Sequence, residues 1–186
     1  MIIAIALPNN AAVSWKFVER LMTVASYDIR TAMGSYCYVN KNRLFEKART
    51  SNQDILYIDS DMVFTFADVE AIANHLKEKE IVGGVYAIGA PPYPAALYKK
   101  TDNDYELCEP EEGVNKVDAI GGAFFGISKE AVQKMPKDPF TPVYEDKVEH
   151  GDDISFCHRA RELDIPIWCD SGIRIGHLRE KAIYVS

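Results

Sequence analysis

The first half of the chain alternates two hydrophobic periods. Met1–Leu7 (MIIAIAL) is a continuous apolar run, the pattern of a strand buried on both faces. Ser14 then supplies an N-cap. Trp15, Val18, Leu21, Met22 and Ala25 follow at helical spacing and predict one inward face. A second helix reads from Asn40 through Lys41–Arg49, with Leu44, Phe45 and Ala48 inward. Asp54–Ile58 is the next strand, Thr65 caps a third helix carrying Val69, Ile72, Ala73 and Leu76, and Ile81–Tyr86 (IVGGVY) is another strand. Strand and helix in alternation are the signature of a parallel α/β sheet.

The second half reads differently. Ala96–Lys100 and Tyr105–Cys108 flank Thr101-Asp102-Asn103-Asp104, whose residues suit a hairpin turn. Val117–Ile127 reads as one glycine-kinked strand, Ser128 caps a short helix to Met135, and 136–151 is a polar, proline-containing loop. A helix from about Asp153 to Leu163 presents Ile154, Cys157, Ala160 and Leu163. The short strands Pro166–Cys169 and Ile173–Gly176 then lead to His177. No repeat, low-complexity tract or linker divides residues 1–186, so a single domain is expected.

Composition excludes several classes. The chain has 186 residues, 47% hydrophobic and 26% charged, ordinary for a globular protein with its own core. Its net charge of −7 and its lack of a Lys/Arg cluster argue against a nucleic-acid partner. Ile2–Leu7, closed by Pro8, lacks the basic flank of a signal peptide and is too short to span a bilayer. Cys37, Cys108, Cys157 and Cys169 form no C-x-x-C pair, which predicts buried, reduced thiols and a cytoplasmic setting.

Against that background ILYIDSDMVF (55–64) is anomalous, because Asp59-Ser60-Asp61 interrupts an apolar run. Two carboxylates there are costly to desolvate unless a cation or hydrogen-bond donors compensate them. With 14 aspartates in 186 residues, about one D-x-D arises by chance, and a second does occur at Asp102–Asp104 in the expected turn. The pair at 59–61 differs in context: it follows the strand Asp54–Ile58 at the end where open α/β sheets place ligands. On an extended segment, side chains two apart point the same way, so both acids could meet one cation.

An apolar strand ending in D-x-D resembles the GT-A glycosyltransferases, in a family-2-like version of minimal length. Three further stretches resemble that family in the same order: IIAIALPNN, VDAIGGAFFGISKEAV and HGDDISFCHRARELDIPIWCDSGIRIGHL. The resemblance implies a mixed, mostly parallel sheet flanked by helices, with about 1–87 as the nucleotide-binding half and about 88–186 completing the metal and acceptor sites. It implies a nucleotide-sugar donor, a UDP-sugar being the commonest, and an acceptor that the sequence leaves open. Asp61 and His177 would ligate a divalent cation, and Asp59 would contact the ribose or reach the metal through water. A mixed carboxylate–imidazole set suits Mn²⁺ better than Mg²⁺.

The resemblance implies Asp153 as the general base, with Asp152 orienting the acceptor or donor sugar; alternatively the two acids simply suit the start of a helix. Pro8, Asn9, Asn10 and Ser60 would line the nucleoside pocket. Arg43 would face the base or diphosphate, or only solvent. Gly121, Gly122 and Ala123 would let a sugar approach the backbone, or mark a bulge. Arg179 and Lys181 would clamp the diphosphate, or form a basic tail. Two other classes stay open, a nucleotidyltransferase and a non-catalytic nucleotide- or sugar-binding module. The first is disfavoured because PNNAAVS, after the first strand, has neither Gly nor Lys/Arg.

Overall fold

The alternation in the first half is realised as one side of a mixed eight-stranded sheet. The computed structural model describes residues 1–9, 12–89, 91–102, 104–145 and 148–178. The first elements are β1 (Ile2–Pro8), α1 (Trp15–Thr23), β2 (Asp28–Gly34), α2 (Cys37–Ser51), β3 (Ile55–Ile58), β4 (Met62–Val63), α3 (Phe66–His75) and β5 (Ile81–Tyr86). Then come β6 (Leu97–Lys100), β7 (Tyr105–Leu107), β8 (Val114–Val117), β9 (Ala119–Ile120), β10 (Phe124–Ile127) and α4 (Lys129–Lys134). The chain continues through β11 (Tyr144–Glu145), β12 (Val148–Glu149), α5 (Asp152–Glu162) and β13 (Ile167–His177).

The large sheet runs β2-β1-β3-β10-β5-β13-β4, with β8 also paired to β13. β1 pairs in parallel with β2 and β3, and β5 in parallel with β13. β10 is antiparallel to both β3 and β5, so those two strands share a direction. Five strands therefore point one way, and their carboxyl ends form a single edge where ligands collect in such sheets. β1 and β3 are buried along almost their whole length, as expected for strands covered on both faces. One core lies under α2, α4 and α5, including Leu44, Phe45, Val132 and Phe156; the other lies under α1 and α3, including Phe17, Val24, Val69 and Ile72. Among the described residues no helix is long and apolar enough to cross a membrane.

Several expectations are corrected. α1 is capped by Ser14, whose side chain accepts from the Phe17 N–H, but the residues packed inward there are Phe17, Leu21 and the C-cap Val24. Trp15 and Met22 are 68% and 67% exposed, so the sequence reading chose the wrong stripe. β2 carried no strand signal: it is a sheet edge rich in polar and exposed positions, and so shows no apolar run. The single strand expected over Val117–Ile127 is three short ones, broken at Asp118 and at 121–123. The two strands expected after Pro166 are one, β13, with a register shift between Asp170 and Arg174. Leu163 is exposed, and so is Cys37; Cys157 and Cys169 are buried. All four cysteines are free thiols.

Candidate active site

The helix register of α2 places one lysine on its apolar stripe. Lys41 precedes Leu44, Phe45 and Ala48 by three, four and seven residues, and like them it is buried, at 3% exposure. Because α2 runs antiparallel to the strands, its first turn lies near their carboxyl edge, and Lys41 points in from there. Its ammonium stands 2.9 Å from Asp152 Oδ2. Burial works against its charge, but Asp59 and Asp152 outweigh burial and hold its pKa above the ordinary lysine value. Its backbone carbonyl accepts from the Tyr57 hydroxyl at 2.8 Å, which ties α2 to β3.

Asp59 comes from the end of β3. Its N–H donates to Ala123 O at 2.9 Å, and its own carbonyl accepts from Met62 N–H at 3.1 Å. Residues 59–61 are therefore a turn, not an extended segment, and the two carboxylates part. Burial pushes the Asp59 carboxyl up to about 6; Lys41 opposes this, while Asp61, Asp152 and Asp153 add to it. Asp61 goes instead to His177, with Oδ2 3.0 Å from Nε2 and half the Asp61 side chain exposed.

The strand pairing explains the meeting of Asp61 with His177. His177 pairs with Met62 across β13 and β4, and Leu178 N–H donates to Asp61 O at 2.7 Å. On the other side of the ring, His177 Nδ1 lies 2.8 Å from Ala87 O. A carbonyl only accepts, so Nδ1 carries the hydrogen, and a neutral ring turns the Nε2 lone pair toward Asp61. Two acceptors 3.0 Å apart attract only through a shared proton or a cation.

Asp152 and Asp153 open α5, whose N-cap Gly151 makes no side-chain cap bond. Asp153 Oδ1 accepts from Ile154 N–H at 2.8 Å and Oδ2 from Gly122 N–H at 3.3 Å. Its pKa is raised: burial dominates, Lys41 opposes it, and Asp152 adds to the rise. Gly121 and Gly122 are required by space. A methyl on Gly121 would run into the Tyr86 hydroxyl and stand 2.7 Å from Ala96 Cβ; one on Gly122 would stand 2.6 Å from Lys41 Nζ. The buried Tyr86 hydroxyl accepts from Ala123 N–H at 3.2 Å, and its ring meets the His177 ring edge-on at 5.9 Å.

The structure thus gathers Asp59, Asp61, Asp152, Asp153, Gly121, Gly122, Ala123 and His177 at the carboxyl edge. Sequence reasoning missed Lys41 and Tyr86. The available signal was a lysine on the apolar stripe of α2. Pro8 ends β1 and Asn9 follows it, where Asn9 Nδ2 donates to Ser35 Oγ at 2.9 Å, and partly buried Ser60 lies between the two acids. Arg43 is exposed, two residues and about half a helical turn from Lys41, so it does not join the cluster. Asn10, Arg179 and Lys181 lie outside the described residues.

The expected three-residue metal set is not assembled. Among the described residues no three His, Cys, Asp or Glu side chains are close enough together to hold a metal. Asp59 lies within the electrostatic reach of Lys41 and is in no such group, leaving Asp61 and His177 as a two-donor pair. That pair fits a borderline cation in donor chemistry and in the orientation of the ring, provided the remaining ligands come from elsewhere.

Sheet order, helices on both faces and an acidic carboxyl edge define a GT-A-like α/β fold. Among solved structures, A197 from STIV superposes at a TM-score of 0.70, covering 97% of this chain and 87% of its own, with 17% identity. GalNAc-T7, whose crystal structure holds UDP, GalNAc and Mn²⁺, superposes at 0.60 with 6% identity; the match covers 96% of this chain and 44% of that one. A 4-diphosphocytidyl-2C-methyl-D-erythritol synthase from Anaerococcus prevotii reaches only 0.41 over 71% of this chain. The first two likenesses show a shared fold. No protein-family model and no curated protein matches the chain, so the finer likeness to family 2 has no support beyond the motifs.

Proposed function

We propose that the protein is a metal-dependent glycosyltransferase that moves a sugar from a nucleotide-sugar, a UDP-sugar, to an acceptor hydroxyl with inversion. The observation that carries this reading is the 3.0 Å approach of Asp61 Oδ2 to Nε2 of a His177 ring whose Nδ1 is held at Ala87 O, beside the partly buried acids around Lys41. Asp61 and His177 would hold Mn²⁺, with Mg²⁺ as the weaker substitute; bound there, the ion would neutralise charge building on the departing diphosphate.

The protein's own groups do the rest. Lys41 is fixed on Asp152, while Asp153, whose pKa is raised, is in no ion pair among the described residues and lies at the start of α5 beside Gly122. Asp153 takes the proton of the acceptor hydroxyl as that oxygen bonds to the anomeric carbon, and the bond from that carbon to the diphosphate oxygen breaks. The backbone N–H groups of Gly122 and Ile154 fix the carboxylate, and each oxygen retains a lone pair for this work. Pro8, Asn9 and Ser60 line the nucleoside side. Gly121–Ala123 admit the sugar, and Asp59 faces the ribose.

A non-catalytic nucleotide-binding module is the second reading, favoured by the prior engagement of both Asp153 oxygens. The test is a thermal-shift series with nucleoside diphosphates and nucleotide sugars, with and without Mn²⁺. A ligand at a hundredfold its Kd adds about 2.7 kcal/mol. Asp61→Ala should remove the metal-dependent part. If no nucleotide raises the Tm, the proposal fails; binding with no turnover, unaffected by Asp153→Asn, selects the module.

A further inference from the structure

A cavity of about 610 Å³ shares Tyr86 and Ala87 with the site just described. Ala87 is the residue whose carbonyl orients His177, and Tyr86 packs on the same ring. The cavity wall includes Val85, Ala95 and Ile175, and its polar lining brings together Tyr93, Glu109, Glu112 and Arg174. The volume lies in the range of small-molecule sites.

Tyr93 is the unusual member. It is 54% exposed and sits at φ 58°, a left-handed conformation that is unfavourable for a bulky L side chain. The base of its loop is pinned by Ile88 N–H donating to Pro94 O at 2.9 Å and by the bridge between Ala87 and Ala95. The fold therefore holds an aromatic ring out into solvent, at the cavity, in a conformation that stability alone would discard. Strain kept in this way concentrates at ligand sites.

The facing segment is equally fixed. Gly113 and Ser171 exchange two hydrogen bonds, of 2.9 and 3.0 Å, and Arg174 Nε donates to Ser171 O at 3.3 Å. Among the described residues, neither Glu109 nor Glu112 is drawn into an ion pair, so both carboxylates can accept hydroxyl hydrogens. An exposed aromatic face beside carboxylates and a guanidinium matches a polyhydroxylated ring: C–H face on the tyrosine, hydroxyls to the acids.

We propose that this cavity is the acceptor subsite and binds a neutral saccharide seated on Tyr93, with Glu109 and Glu112 accepting its hydroxyls. Its role as an acceptor site rests on the transferase reading; the saccharide binding does not. The test is ¹⁵N NMR titration of the full chain with the methyl glycosides of glucose, galactose, mannose and N-acetylglucosamine, and with lactose. At least one should shift the amides around Tyr93 and Glu112. Tyr93→Ala should weaken that binding tenfold or more and Glu112→Gln threefold or more, while UDP–Mn²⁺ affinity stays within twofold.

Tyr93→Gly separates binding from folding, because it relieves the strained φ: Tm should rise while sugar affinity falls. No shift with any sugar, or an unchanged affinity in Tyr93→Ala, overturns the proposal. If sugars bind but UDP with Mn²⁺ does not, the transferase reading fails and the cavity stands as a saccharide site.

Discussion

Lys41 Nζ and Asp152 Oδ2 lie 2.9 Å apart, the lysine 3% and the aspartate 26% exposed. This pair sets the electrostatics of the whole edge, because Asp59 and Asp153 are also near the same ammonium. Removing one partner of a buried pair leaves uncompensated charge. Lys41→Met should cost about 3–5 kcal/mol, read by urea unfolding. A loss below 1 kcal/mol would mean that the pair is far better hydrated than the structure indicates.

Asp61 and His177 should behave as one cation site. Alanine at either position should lower Mn²⁺ affinity at least tenfold, about 1.4 kcal/mol, measured by electron paramagnetic resonance of free Mn²⁺. Equal activity with Mg²⁺ and Mn²⁺, together with an active His177→Ala, would remove the case for manganese.

Asp153 gives a pH-dependent stability with a definite sign. Its folded pKa is raised, chiefly by burial, above the unfolded value of about 3.9. Its contribution is therefore full below that unfolded value and is lost as pH rises through the folded one. Asp153→Asn cannot ionise and should show a higher Tm than the native chain at pH 7, with little difference at pH 3. An equal or lower Tm at pH 7 would show that the carboxylate is stabilised rather than strained there.

Gly121 and Gly122 should differ. A methyl at 121 meets the Tyr86 hydroxyl and Ala96, which are packed, so Gly121→Ala should cost about 1–3 kcal/mol. A methyl at 122 meets the flexible end of Lys41 as well as Asp153 Cβ at 3.1 Å. Gly122→Ala should cost less stability but weaken nucleotide binding by moving the ammonium. Calorimetry on both variants checks the contrast.

Much of this edge was legible in the sequence for physical reasons. Buried strands such as β1 and β3 announce themselves as apolar runs, and Ser14, Thr65 and Ser128 cap their helices as read. β2 was invisible because an edge strand need not be apolar. The stripe of α1 was misjudged because Trp15, Val18 and Met22 mimic an inward face that in fact belongs to Phe17, Leu21 and Val24. Lys41 was passed over because a lysine in a helix is ordinarily solvated, and only its register with Leu44 and Ala48 said otherwise. The divergence of Asp59 from Asp61 depends on a turn that pairing with β13 imposes, and no local pattern encodes that.

β13 therefore has a temporal meaning. Asp61 and His177 are 116 residues apart in sequence and meet through the pairing of β13 with β4. Contacts of such separation form late, after loop closure has been overcome. The proposed cation site is thus complete only when the two distant segments have paired, and Mn²⁺ affinity should serve as a readout of completed assembly.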